Sequence, residues 1–191
     1  MTATIAQPLN EIATNWQIDT AHTNVEFAVR HLMISTTKGR FGDVSGTLSL
    51  DPNDPTAATA EVTIKTASID TRNEQRDAHL RSADFFDAEK YPLMTFRSKS
   101  IEGDTESDFL VYGDLTIRGV TRGVVLNVTR DGQVTDPWGG QRVAFSARGK
   151  IDRKSFGLTY NQALETGGVV VGDEIKISID AEFTAIPDVT A

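Results

Sequence analysis

Between Ile175 and Thr184 the chain changes character at every residue: Ile175, Ile177, Ile179, Ala181 and Phe183 alternate with Lys176, Ser178, Asp180, Glu182 and Thr184. A period of two is what a strand with one dry face and one wet face requires. The same period recurs along most of the chain. Val25, Phe27, Val29 and His31 oppose Glu26, Ala28 and Arg30, and Ala60, Val62 and Ile64 oppose Thr59, Glu61, Thr63 and Lys65. Val44, Gly46, Leu48 and Leu50 share one side, whereas Phe41 is out of phase with them by one residue, and Gly42-Asp43 is where a bulge fits. Further strand-like runs cover 94–97, 109–117, 124–129 and 143–151. Turn residues punctuate them: Asp51-Pro52-Asn53-Asp54-Pro55, Arg118-Gly119, Asp131-Gly132 and Asp136-Pro137-Trp138-Gly139-Gly140. About eight or nine strands with short links make an antiparallel meander, and closing it into a barrel removes both exposed edges.

One segment breaks the period. From Thr71 to Tyr91 the residues suit a helix, so a helical insertion is expected over about 71–91. Thr71 with Glu74 has capping-box spacing, which makes Thr71 the expected N-cap. Asp77 and Arg81 are spaced for an i,i+4 pair, 83–87 suits a second short turn, and Pro92 ends the segment. Phe85 and Phe86 read as packing where the helix meets the barrel, or as the lining of an entrance. Arg72, Arg76, Arg81 and Lys90 read as a solvated face, or as contacts for an anionic headgroup.

Length and charge narrow the class. A chain of 191 residues fits one all-β domain, here 15–186, after an N-terminal arm, 1–14, that shows no period. The formal net charge of −8 argues against a general nucleic-acid surface. No cysteine is present, so disulfide and thiol chemistry are excluded. The first residues show neither a basic nor an apolar region of a secretory signal, which leads to the expectation of a cytoplasmic protein. No apolar run approaches the roughly 18–20 residues of a membrane helix.

Motifs for catalysis are thin. The three histidines, His22, His31 and His79, lack the close spacing of a metal site, and none is expected to hold one. No Gly-x-Ser-x-Gly elbow and no phosphate-binding loop is present. More informative are the expected inner faces, where Phe27, Phe96, Val111, Leu115, Phe145 and Phe183 alternate with Gly46, Ala60, Gly113, Ala147, Gly149 and Ala181. Small inward residues leave room for one ligand in a barrel of this size, relieve curvature, or simply interdigitate with large ones in a filled core. An apolar cavity would take a lipid-like molecule rather than perform acid–base chemistry.

Four stretches together resemble the YceI-like family. They are Trp16 to Leu32, Gly39 to Leu48, Ser68 to Phe96 (with Arg76-Asp77-x-His79-Leu80-Arg81-Ser82-x-Asp84-Phe85-Phe86-Asp87 at its centre) and Gly113 to Thr121. The resemblance implies an antiparallel, eight-stranded, lipocalin-like barrel around an elongated apolar cavity, binding a long-chain isoprenoid lipid of polyprenyl or quinone type without catalysis. It implies a tunnel lined by Phe27, Val29, Phe41, Val62, Ile64, Phe85, Phe86, Phe96, Val111, Leu115, Phe145, Ala147, Ile177, Ile179 and Phe183. His22, Arg30, His31, Arg76, Asp77 and His79 are motif positions that either frame a polar mouth or tie the helix to the barrel, a buried Arg–Asp pair being one such lock. No cofactor beyond the lipid is expected. No nucleic-acid partner and no integral membrane segment is expected, while transient membrane contact and a homodimer stay open. Many relatives are exported, and the expected cytoplasmic location departs from them. The alternatives are a barrel that uses a histidine for haem, metal or catalysis, and a stress-related interaction module with a filled core.

Overall fold

The structure, a computed structural model, describes residues 15–51, 53–163 and 168–186. The expected arm lies outside the described residues. The strands are β1 (Asn15–Ile18), β2 (Asn24–His31), β3 (Ser35–Phe41), β4 (Val44–Ser49), β5 (Thr59–Lys65), β6 (Ile69–Asp70), β7 (Leu93–Gly103), β8 (Asp108–Ile117), β9 (Val120–Thr135), β10 (Gln141–Asp152) and β11 (Val171–Ala185), with one helix, α1 (Glu74–Arg81). All pairings among them are antiparallel.

Eight strands close a ring in the order β1-β4-β5-β7-β8-β9-β10-β11, and β11 returns to β1. The remaining segments are continuations. β2 extends β1 along β11, β3 leads into β4, and β6 prolongs β5 to pair with β3. The count of strand segments therefore exceeds the count of barrel staves, because three staves are interrupted. The break at Gly42-Asp43 is the expected one. It lets Phe41 and Val44, an odd three residues apart, both face inward.

The turn at Arg118-Gly119 is as expected: φ is 51° and 73° at its two residues, the left-handed pair a tight hairpin demands. Asp131-Gly132 is a correction. It is no turn but a register shift inside β9, where Ala144 pairs with Gly132 and Phe145 with Arg130, so Asp131 is the extra residue.

The helix is shorter than expected, two turns rather than the whole of 71–91, and 82–90 continues as turns. Its N-cap is Asn73, whose side chain accepts from the Arg76 N–H, and not Thr71. Thr71 is engaged elsewhere: its N–H and Oγ1 both donate to Asp77 Oδ1, at 2.9 and 2.5 Å. The expected Asp77–Arg81 pair does not form, because Arg81 instead donates to the carbonyls of Ala67 and Ile69 at 2.8 and 2.7 Å. A helix this short and polar is marginal by itself. Hydrogen bonds between its charged groups and the segment 67–71 hold it in place.

Candidate functional site

The inner faces of the staves enclose a cavity of about 400 Å³. Every apolar residue expected to line a tunnel lines this one, from Phe27 and Val29 through Phe85, Phe86 and Phe96 to Ile177, Ile179 and Phe183. The volume falls within the range of ligand pockets. Phe27, Val62, Ile64, Phe96, Phe145, Ile177 and Ile179 are only partly buried although they face inward, as the lining of an open interior must be.

Of the small inward residues, Ala60, Ala147 and Ala181 line this space, whereas the glycines do not make it. A Cβ at Gly113 would come within 2.5 Å of the Phe96 ring, and one at Gly46 within 2.5 Å of the Glu61 carbonyl oxygen. These glycines seat a neighbouring ring and a neighbouring strand. The cavity instead reflects the bore of an eight-stranded ring, which is just wide enough for one ligand.

One end of the barrel is plugged. Met94, Ile117, Phe156 and Leu158 are buried together, Phe156 coming from the 3₁₀ turn Arg153–Phe156, and Phe86 from the segment after α1 packs against them. Two arginines fasten the plug. Arg118, on the β8–β9 turn, donates to the carbonyls of Gly157 (3.0 Å) and Ala83 (2.9 Å), joining that 3₁₀ turn to the segment after α1. Arg153 is 3% exposed and donates to the carbonyls of Gly172, Leu158, Tyr160 and Val171 and to Asp173. Burial pulls its pKa down, against the opposing pull of Asp173 and Asp152. Carbonyl dipoles and one carboxylate thus satisfy a guanidinium that has little water. Nothing in the local sequence distinguishes Arg153 from a surface arginine. Arg118 lies within a family-like stretch, without a sign of its role.

The expected polar residues do not gather at one mouth. His22 is exposed and bonds Asp19 at 2.9 Å. Arg30 bonds the Met33 carbonyl at 2.8 Å and steadies a turn in which Leu32 and Met33 have φ of 50° and 62°. Arg76 donates to Thr71 Oγ1 and Thr71 O, both at 2.7 Å. The buried lock is therefore not a direct Arg–Asp pair: Arg76 and Asp77 each hold Thr71. His79 bonds Asp84 at 2.9 Å and meets Phe85 and Tyr160 edge-on at 5.1 and 4.9 Å. His31 closes β2, paired with Ser35 and Val171. None of the three histidines lines the cavity.

Asp19, His22 and Glu182 offer ligand atoms within 4.8 Å of one another on the outside of the barrel. Arg142 already supplies positive charge there, reaching Asp19 at 2.8 Å, Glu182 at 2.5 Å and Asp136 at 2.9 Å. The hydrogen bond from His22, then that from Arg142, holds the Asp19 carboxyl at about 2. The three carboxylates raise the Arg142 pKa above its usual value, Asp136 most. The cluster ties β1, β10, β11 and the β9–β10 turn together.

Comparison with known proteins adds to this geometry. The profile of the YceI-like domain matches residues 16–183. A UPF0312 protein of Staphylococcus epidermidis is 42% identical over 172 residues, covering 90% of this chain and 98% of that protein. Among solved structures, a Campylobacter jejuni YceI protein superposes with a TM-score of 0.71 at 38% identity, covering 88% of this chain and 96% of that one. A polyisoprenoid-binding domain from Saccharophagus degradans superposes with a TM-score of 0.66 at 18% identity, covering 92% and 100%, a likeness of fold alone.

Proposed function

The chain belongs to the YceI-like family, and from that premise we propose that it binds and carries a long-chain isoprenoid lipid, polyprenyl or quinone in type, with the tail inside the barrel and no turnover. The observation that carries the reading is the predominantly apolar lining of a cavity of about 400 Å³ inside the barrel. Apolar surface removed from water contributes about 25 cal/mol per Å², so burying ~400 Å² of tail supplies ~10 kcal/mol before the costs of association. A dry bore is sufficient for affinity, and neither metal nor cofactor is needed for it. The histidine alternative would have to work outside the bore, since no histidine lines the cavity. A filled-core interaction module is disfavoured by the same cavity.

The test is organic extraction of the purified protein followed by mass spectrometry of the extract and of the intact complex. A stoichiometric prenyl-chain lipid is the expected result. A barrel that is consistently empty and takes up no prenyl lipid would overturn the proposal.

A further inference from the structure

We infer that the tunnel opens at the end opposite α1, and that its mouth selects an uncharged headgroup bearing a hydrogen-bond acceptor, such as a quinone carbonyl, over a phosphate or diphosphate on the same tail. The inference rests on the lipid-binding reading above and names the chemical class of its ligand. At the α1 end the buried plug and the Arg153 network close the bore. At the other end the exposed residues Asp51, Pro55 and Glu106 line the same cavity, so the cavity reaches water there.

Two polar side chains point into that mouth, the second of them because of the β9 bulge. Arg130 continues the inward series of Leu126 and Val128. Gln133, three residues on, would face outward on a regular strand, and the extra residue Asp131 turns it inward. Arg130 Nη2 donates to Gln133 Oε1 at 2.8 Å, and Nη1 pairs with Glu106 at 2.5 Å. Arg130 is 21% exposed and Glu106 72%, so the cation sits deeper in the mouth and its counter-charge at the rim. A guanidinium has five N–H donors and a Gln amide two. These partners use two of the guanidinium donors and none of the amide's, leaving donors to meet an acceptor entering with the tail.

The charge around the mouth decides which acceptor. Glu106 already balances Arg130, and Asp51 adds a carboxylate to the cavity wall that has no ion-pair partner among the described residues. Asp104 and Asp131 lie on the flanking turn and bulge. Arg142, the other cation at this end, is held by three carboxylates. A diphosphate entering this mouth would face like charge, which salt screens only over a Debye length of about 8 Å. A carbonyl would take the hydrogen bond and avoid the repulsion.

The test uses the delipidated full chain and three probes with one prenyl chain: a prenylated quinone, the prenyl diphosphate, and the prenyl hydrocarbon. Affinities come from native mass spectrometry and calorimetric titration. The quinone is expected to bind at least about tenfold tighter than the diphosphate, a difference of about 1.4 kcal/mol. Arg130→Met and Gln133→Leu should each bring the quinone toward the hydrocarbon while leaving the hydrocarbon unchanged, and Glu106→Gln should strengthen the diphosphate. A diphosphate that binds as well as the quinone, or a quinone preference that survives both Arg130→Met and Gln133→Leu, overturns the inference. If none of the three probes binds, hydrocarbon included, the lipid-binding reading itself falls and takes the headgroup inference with it.

Discussion

Replacing Arg153 with methionine should loosen the closed end of the barrel more than any surface change of similar size. Methionine keeps much of the aliphatic stem, so the lost volume is small. The carbonyls of Gly172, Leu158, Tyr160 and Val171 lose their shared donor. Each buried acceptor left unpaired costs ~1–3 kcal/mol. Leu158 is 5% exposed, and allowing that water reaches some of the others, we expect a total near 3 kcal/mol, about two unpaired acceptors' worth. The Asp173 contact adds little, since that carboxylate is 41% exposed. For a domain of this size ~3 kcal/mol lowers Tm by ~6–12 °C. Urea denaturation monitored by tryptophan fluorescence measures the stability. Amide exchange across 153–172 localises it, and protection there should fall first. Arg153→Lys should recover only part of the loss, because three rotatable donors cannot span the acceptors a planar fork reaches. A loss under ~1 kcal/mol for Arg153→Met, or exchange unchanged across 153–172, would refute the view that this arginine fastens the plug.

Three further outcomes are expected. Asp77→Ala should cost ~2–4 kcal/mol in equilibrium unfolding by leaving the buried Thr71 donors unpaired, while Asp77→Asn, which keeps an acceptor, should cost less. Because the folded Asp19 carboxyl titrates at about 2, below its unfolded value near 3.9, its contribution is full above pH ~4 and is lost as pH falls through about 2. Asp19→Asn should therefore flatten the wild type's loss of stability over that window, and parallel acid-unfolding curves would contradict this. Ile179→Phe, on the cavity wall, should reduce prenyl-lipid uptake measured by native mass spectrometry while costing only ~1–3 kcal/mol of stability.

Much of the barrel was legible in period alone. Strands such as β11 and β2 announce their inward faces because a residue and its second neighbour share a side, and no partner need be known to read that. The apolar wall followed, and so did the break at Gly42-Asp43, where the phase slips visibly between Phe41 and Val44. The Asp131 bulge hid better: its Asp-Gly pair has turn chemistry, and only pairing with Ala144 and Phe145 shows that the strand runs on. With it went Arg130 and Gln133, although extending the Leu126–Val128 parity by one step would have found an inward arginine.

The local chemistry of the helical segment misled for a related reason. Thr71 with Glu74 satisfies a capping pattern, yet Asp77 takes the Thr71 donors and Asn73 caps the helix, because several short polar side chains compete for the same N–H groups and three-dimensional reach chooses among them. What the residues determined by themselves was periodic: which faces are apolar, where staves break, and that the chain makes a closed antiparallel barrel. What tertiary structure alone decided was which distant groups meet. Arg153 gathers carbonyls from both sides of a loop, Arg118 joins two segments that pack at one end, and Glu106 meets Arg130 at the other. A strand's period is a property of neighbours in sequence, whereas a plug and a mouth depend on ring closure, which brings together residues that no local pattern connects.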